Sequence, residues 1–123
     1  MRLKNKKKYY ISQYSTVEDD EGNVFNGWND KKEFYATITP SSGKVQAEIY
    51  GSRLQYINNM LINGKYTITL EDNKRVYNFD TFSISEGDGI YVYSNNKPDY
   101  KVISIKPFTH LQCEIEAIEN GEI

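Results

Sequence analysis

The side chains that could do chemistry in this 123-residue sequence are few, and their spacing argues against most of what they could do. One histidine, His110, lies three residues before the single cysteine, Cys113. A cysteine nucleophile needs a base beside it. On an extended strand the same-face neighbours are i and i+2, so an i,i+3 pair cannot meet side by side. Cys113 alternates with Leu111 and Ile115 and reads as a small core residue, with His110 at the turn before it. The acidic run Glu18-Asp19-Asp20-Glu21 and the Glu86-Gly87-Asp88-Gly89 stretch supply oxygen ligands. Neither has the alternating acidic positions, glycine and distal glutamate of a calcium loop. No phosphate-binding glycine loop and no nucleophile-elbow motif occurs. The expectation is a non-enzyme without metal or cofactor.

Charge narrows the partners. The net charge is −2, with 38% hydrophobic and 26% charged residues. A dedicated nucleic-acid binder relies on Lys and Arg to neutralise phosphates, and this balance does not supply them. A lone cysteine excludes an internal disulfide and fits a reducing compartment. No apolar run approaches the ~20 residues of a membrane span, and the opening MRLKNKKKYYISQYS lacks a signal peptide's apolar region. No membrane partner is expected.

The elements that must position these residues read as strands. Eleven tyrosines against three prolines and two methionines lean the composition toward all-β. Strands are expected at 9–15, 33–39, 65–71, 75–79, 90–94, 100–107 and 111–118, with turns at Asp72-Asn73, 86–89 and 95–99, and with 18–30 as an acid-rich loop. Ile68/Leu70 and Leu111/Cys113/Ile115 are the expected core rows. The spacing of Leu54, Ile57, Leu61 and Ile62 admits a short helix near 53–61. The resulting fold class is a small antiparallel β-barrel or sandwich of six or seven strands. It comprises a basic arm at 1–8, one domain at 9–118 and a tail at 119–123. Strand faces put Tyr35, Tyr91 and Tyr93 outward as contact candidates. The basic Lys6, Lys7 and Lys8 could steer assembly against the acidic Glu18, Asp19, Asp20 and Glu21.

FYATITPSSGKVQAEIYG (34–51) begins as a clean strand and then leaves it for a polar, glycine-punctuated excursion. Loops beyond ~12 residues without structure of their own are usually functional or disordered. The run from GNVFNGW (22–28) through EFYATITPSSGKVQAEIYG (33–51), with the later hairpins IYVYSNNKPDYKVISIKPFTHLQCEIEAI (90–118), resembles the head-closure, or head-tail connector, proteins of long-tailed phages. The similarity is closest to those of Gram-positive phages and phage-like prophage elements. That resemblance implies a small β-barrel whose copies form a ring beneath the portal and its adaptor. Tail completion proteins dock below, within a virion or phage-like particle assembled in the bacterial cytoplasm. It further implies that the loop Pro40, Ser41, Ser42, Gly43, Lys44, Val45, Gln46, Ala47, Glu48, Ile49, Tyr50 and Gly51 projects into the channel and gates packaged DNA. The alternatives are an OB-like single-stranded nucleic-acid binder and a tail or baseplate component of similar fold.

Overall fold

A computed structural model describes residues 6–18, 20–41 and 43–118, without side-chain detail for 15–18, 25 and 26. Its centre is a closed barrel of six antiparallel strands. In order around the wall these are β1 (Lys7–Ser12), β4 (Lys32–Pro40), β5 (Ile57–Ile62), β11 (Leu111–Ala117), β10 (Tyr100–Pro107) and β9 (Gly89–Tyr91). Closure comes where β9 returns to β1, pairing Tyr10 with Tyr91, Ile11 with Ile90 and Ser12 with Gly89. Two small sheets attach to it: the hairpin β2 (Tyr14–Glu18) with β3 (Val24–Trp28), and the sheet β6 (Thr67–Glu71), β7 (Lys74–Asn78) and β8 (Ser83–Ile84).

Alternation builds the interior. Ile11, Phe34, Ala36, Met60, Ile62, Ile90, Val102, Leu111, Cys113 and Ile115 are buried in one cluster, joined by Tyr77 and Ile84 from the attached sheet. Cys113 is therefore a core residue, and burial pushes its thiol up to about 12. Gly89 has a packing reason for lacking a side chain. A Cβ there would collide with Pro98 and lie 2.8 Å from Trp28 Cζ3.

Several expected elements fall differently. The first strand ends at Ser12; beyond Gln13, whose carbonyl accepts the Asn29 N–H at 2.8 Å, the chain starts the β2–β3 hairpin. The acid-rich "loop" thus holds strand β3 and the end of β2, with the turn between them. The basic arm is shorter than 1–8, since Lys7 and Lys8 pair with Ala36 and Tyr35. The helix expected near 53–61 is a 3-10 helix over Gly51–Tyr56 followed by β5. Ile57 and Ile62, two of the four residues that suggested helical spacing, are buried in the barrel as strand residues. Ile68 and Leu70 are not core: they are 48% and 71% exposed. β6 is the outer strand of the attached sheet, and Val76 and Tyr77 of β7 are the buried pair instead. The strand expected over 90–94 stops at Tyr91 because the Asp99 carboxylate accepts the Val92 and Tyr93 N–H groups, at 2.7 and 2.9 Å.

Candidate functional site

The connection from β4 to β5 joins two adjacent antiparallel strands, which a short hairpin loop could do. It runs instead through sixteen residues, 41–56, across the outer wall. Ser41 continues the ladder by one bond, its N–H donating to the Ile57 carbonyl at 3.3 Å. Gly43 is extended and provides no side-chain cap. Helix α1 (Lys44–Tyr50) follows, and its first bond runs from the Ala47 N–H to the Gly43 carbonyl at 3.0 Å. Gly51 ends the helix at φ 57°, a left-handed conformation that glycine adopts without a Cβ penalty. The expected open loop at 40–51 is therefore mostly helix. Lys44, Gln46, Ala47 and Glu48 are good helix formers, and the flanking glycines act as boundaries.

No residue of α1 is buried. Val45 and Ile49, four apart and so on one face, are 68% and 66% exposed. The adjacent face carries Gln46 and Tyr50, also four apart, and these hold the helix to the wall. Gln46 Nε2 donates to Asn59 Oδ1 at 2.8 Å and to Glu114 Oε2 at 2.6 Å, and the Tyr50 hydroxyl donates to Glu114 Oε1 at 2.9 Å. Ser41 Oγ donates to the same Asn59 oxygen at 3.4 Å. One turn on, Arg53 makes a bidentate pair with Glu116, at 2.9 and 2.7 Å, and lies 5.4 Å over the Tyr50 ring. A groove of about 370 Å³ opens beside α1, lined by Val45, Leu61, Ser104, Lys106 and Gln112 among others. The helix rests on the wall through polar side chains rather than through a packed apolar seam.

Electrostatics follow this geometry. Burial would raise the Glu114 carboxyl, but hydrogen bonds from Gln46, Tyr50 and Ser104, with Lys106 nearby, outweigh it and hold the group below the usual range. Arg53 lowers Glu116 in the same direction. Burial, the Glu114 bond and the Glu114 charge push the Tyr50 hydroxyl up to about 12. Tyr50 therefore remains a donor and Glu114 an acceptor near neutrality. The latch is stable there and weakens in acid.

The other sequence candidates divide. Tyr35 is half exposed beneath Lys6, whose Nζ is 5.9 Å from the ring, and Tyr93 is 83% exposed. Tyr91 is corrected: it is 7% exposed and its hydroxyl shares a 2.9 Å bond with Ser12 Oγ. The β9–β1 seam that closes the barrel turns it from a surface residue into a structural one. Lys8 pairs with Glu33 at 3.9 Å. Asp19 and Ser42 lie outside the described residues, while Asp20 and Glu21 are exposed in the turn of the β2–β3 hairpin. Among the described residues no group of His, Cys, Asp or Glu is placed to hold a metal ion, and no helix is long and apolar enough to cross a membrane.

Comparison with family models, curated proteins and solved structures gave no match.

The latch residues Asn59, Glu114, Glu116 and Arg53 were not singled out from the sequence. The available signal was the alternation of β11: Glu114 and Glu116 fall on the outward row of a strand whose inward row is apolar. It needed only something to cover that row.

Proposed function

We propose that this chain is a head-closure protein of a phage or phage-like particle. Copies form a ring between portal-adaptor and tail, and the 40–51 segment gates the DNA channel. The observation that carries the reading is α1. It exposes Val45 and Ile49 on one face, buries no residue, and is secured by side-chain hydrogen bonds that water can replace. An element built this way can leave its own wall at small cost and offer an apolar face to a neighbour. The order of segments at 22–28, 33–51 and 90–118 that resembles the connector family supports the same assignment.

The gate in this proposal is a helix that swings, with Gly43 and Gly51 as its hinges. Its charges, Lys44 and Glu48, cancel, so the segment would not grip passing phosphates. Ring closure requires heterologous contacts between copies, for which exposed Tyr35 and Tyr93 and the acidic hairpin turn at Asp20 and Glu21 are candidates. The OB-like alternative has less to rest on. That fold is a five-stranded barrel, whereas this one closes with six strands, and Tyr91 is unavailable for stacking bases.

Removing 41–50 tests the assignment. Residues 51–56 would remain to join β4 to β5, a span adequate for antiparallel neighbours. The truncated protein is expected to stay folded while particles carrying it lose DNA or fail to join tails. Normal DNA retention and tail joining would overturn the assignment, as would unfolding of the isolated truncated protein. Filter binding of single-stranded DNA at physiological salt is expected to show no affinity; micromolar, salt-sensitive binding would favour the OB-like reading.

A further inference from the structure

Among the described residues, nothing covers the outer edge of strand β6. It is the outer strand of the β6–β7–β8 sheet, and all five of its residues are exposed. Natural edges are usually blunted by proline, a bulge or an inward charge. Here Tyr66-Thr67-Ile68-Thr69-Leu70 is rich in β-branched and aromatic side chains and contains no proline, and from Thr67 onward it pairs with β7 without a register break. The strand is also held in place: the Tyr66 hydroxyl donates to the Phe108 carbonyl at 2.7 Å, and its ring packs on Tyr77 and Phe79.

Hairpin geometry decides which backbone groups face outward. The turn residues Asp72 and Asn73 both have positive φ, 53° and 64°, as a two-residue type I′ turn requires. Glu71 and Lys74 then form the first hydrogen-bonded pair, with Thr69–Val76 and Thr67–Asn78 the next two. The N–H and C=O groups of Ile68 and Leu70 point away from β7, toward the open edge.

We propose that this edge pairs antiparallel with β6 of a second copy of the chain, forming a two-fold dimer centred on Ile68. Charge selects the register. With Ile68 opposite Ile68, Tyr66 faces Leu70 and Thr67 faces Thr69. Lys65 of each copy then stands opposite Glu71 of the other, giving two ion pairs by symmetry. A shift of two residues either way sets Lys65 against Thr69 or Asn73 and loses both pairs. A one-residue shift breaks the match of outward backbone groups. Parallel pairing in register puts Lys65 on Lys65 and Glu71 on Glu71. The charges that flank the strand thus discourage other pairings and favour this one. The product is a continuous sheet made of two three-stranded sheets, with Ile68 and Leu70 covered by their counterparts. The pairing closes on itself and uses a strand distinct from α1, so it does not depend on the head-closure reading.

Sedimentation velocity over a concentration series tests it. The wild-type chain is expected to show a reversible monomer–dimer equilibrium. Lys65→Glu or Glu71→Lys alone places like charges opposite at both ends and should weaken the dimer about tenfold. Mixing the two variants restores opposite charges at both ends, so a heterodimer should form at wild-type strength. Ile68→Pro removes an outward N–H without touching the β7 ladder; it should leave a folded monomer by circular dichroism. A chain that stays monomeric at every concentration would overturn the proposal, as would association indifferent to all three substitutions.

Discussion

Replacing Glu114 with alanine should free α1 while leaving the barrel standing. Glu114 receives Gln46 Nε2 at 2.6 Å and the Tyr50 hydroxyl at 2.9 Å, the two bonds that tie the inner face of α1 to β11. Hydrogen bonds to a charged acceptor contribute roughly 1.5–3 kcal/mol each where they are well shielded, and less where water competes. Gln46 keeps its bond to Asn59 after the change, and Tyr50 can turn to solvent. A net loss of about 1–3 kcal/mol from the local stability of α1 is therefore expected. A helix of seven residues is marginal alone, and this one buries no residue that could compensate. Hydrogen exchange reads the result at the amides of Ala47 to Gly51, the donors of the helix bonds. Each 1.4 kcal/mol is a factor of ten, so these amides should exchange about tenfold to a hundredfold faster. Amides of β5 and β10 should change much less. Acceleration of barrel and helix together, or none in the helix, would refute a latch made of these side chains.

Further outcomes follow from the same geometry. Asp88 is 3% exposed and accepts the Ser85 N–H at 2.8 Å; burial raises its carboxyl from 3.8 to about 6. A raised folded-state value means stability fully present below the unfolded value and lost as pH rises through about 6. Unfolding free energy should fall by about 3 kcal/mol in all between pH 3 and 7.5, with about half of that loss above pH 5, and Asp88→Asn should flatten that slope. Glu114 and Glu116 have the opposite sign. Their contribution is present above the unfolded carboxylate value and disappears as pH falls through the lowered folded values, so α1 amides should lose protection in acid before the barrel does. Tyr91→Phe should cost about 1–2 kcal/mol in urea melts, because Ser12 loses its buried partner; an unchanged melt with impaired assembly would return Tyr91 to the contact surface. Gly89→Ala should cost about 3 kcal/mol or more, or prevent folding, given the collision with Pro98 and Trp28.

The all-β class and five of the six wall strands were legible because period-two alternation is local; the sixth, β5, carried a spacing that admitted a helix instead. Leu111, Cys113 and Ile115 face inward as the pattern requires, and Phe34 and Ala36 do the same. What alternation cannot say is which sheet a strand joins. Ile68 and Leu70 alternate as cleanly as any core row, yet β6 is the exposed outer strand of a sheet outside the barrel wall. Tyr91 alternates outward by local pattern, but it lies on the closing seam, and closure is a non-local fact. The 40–51 segment was legible as an excursion and not as a helix. Its helical stretch is only seven residues, too short for periodicity to speak, and its stability comes from Asn59, Glu114 and Glu116, distant in sequence. For the same reason the latch was not visible as a site.

The gate itself is tested most directly by a distance across it. Spin labels at Ile49 and Thr109, both exposed, can report whether α1 lies on the β5–β11 wall. Cys113 should remain unlabelled, being buried with its thiol pushed up to about 12. The free protein should give one narrow distance distribution at neutral pH, and the protein incorporated into particles should give a second, longer one. A single distribution, unchanged on incorporation, would contradict a helix that leaves its wall to close a channel.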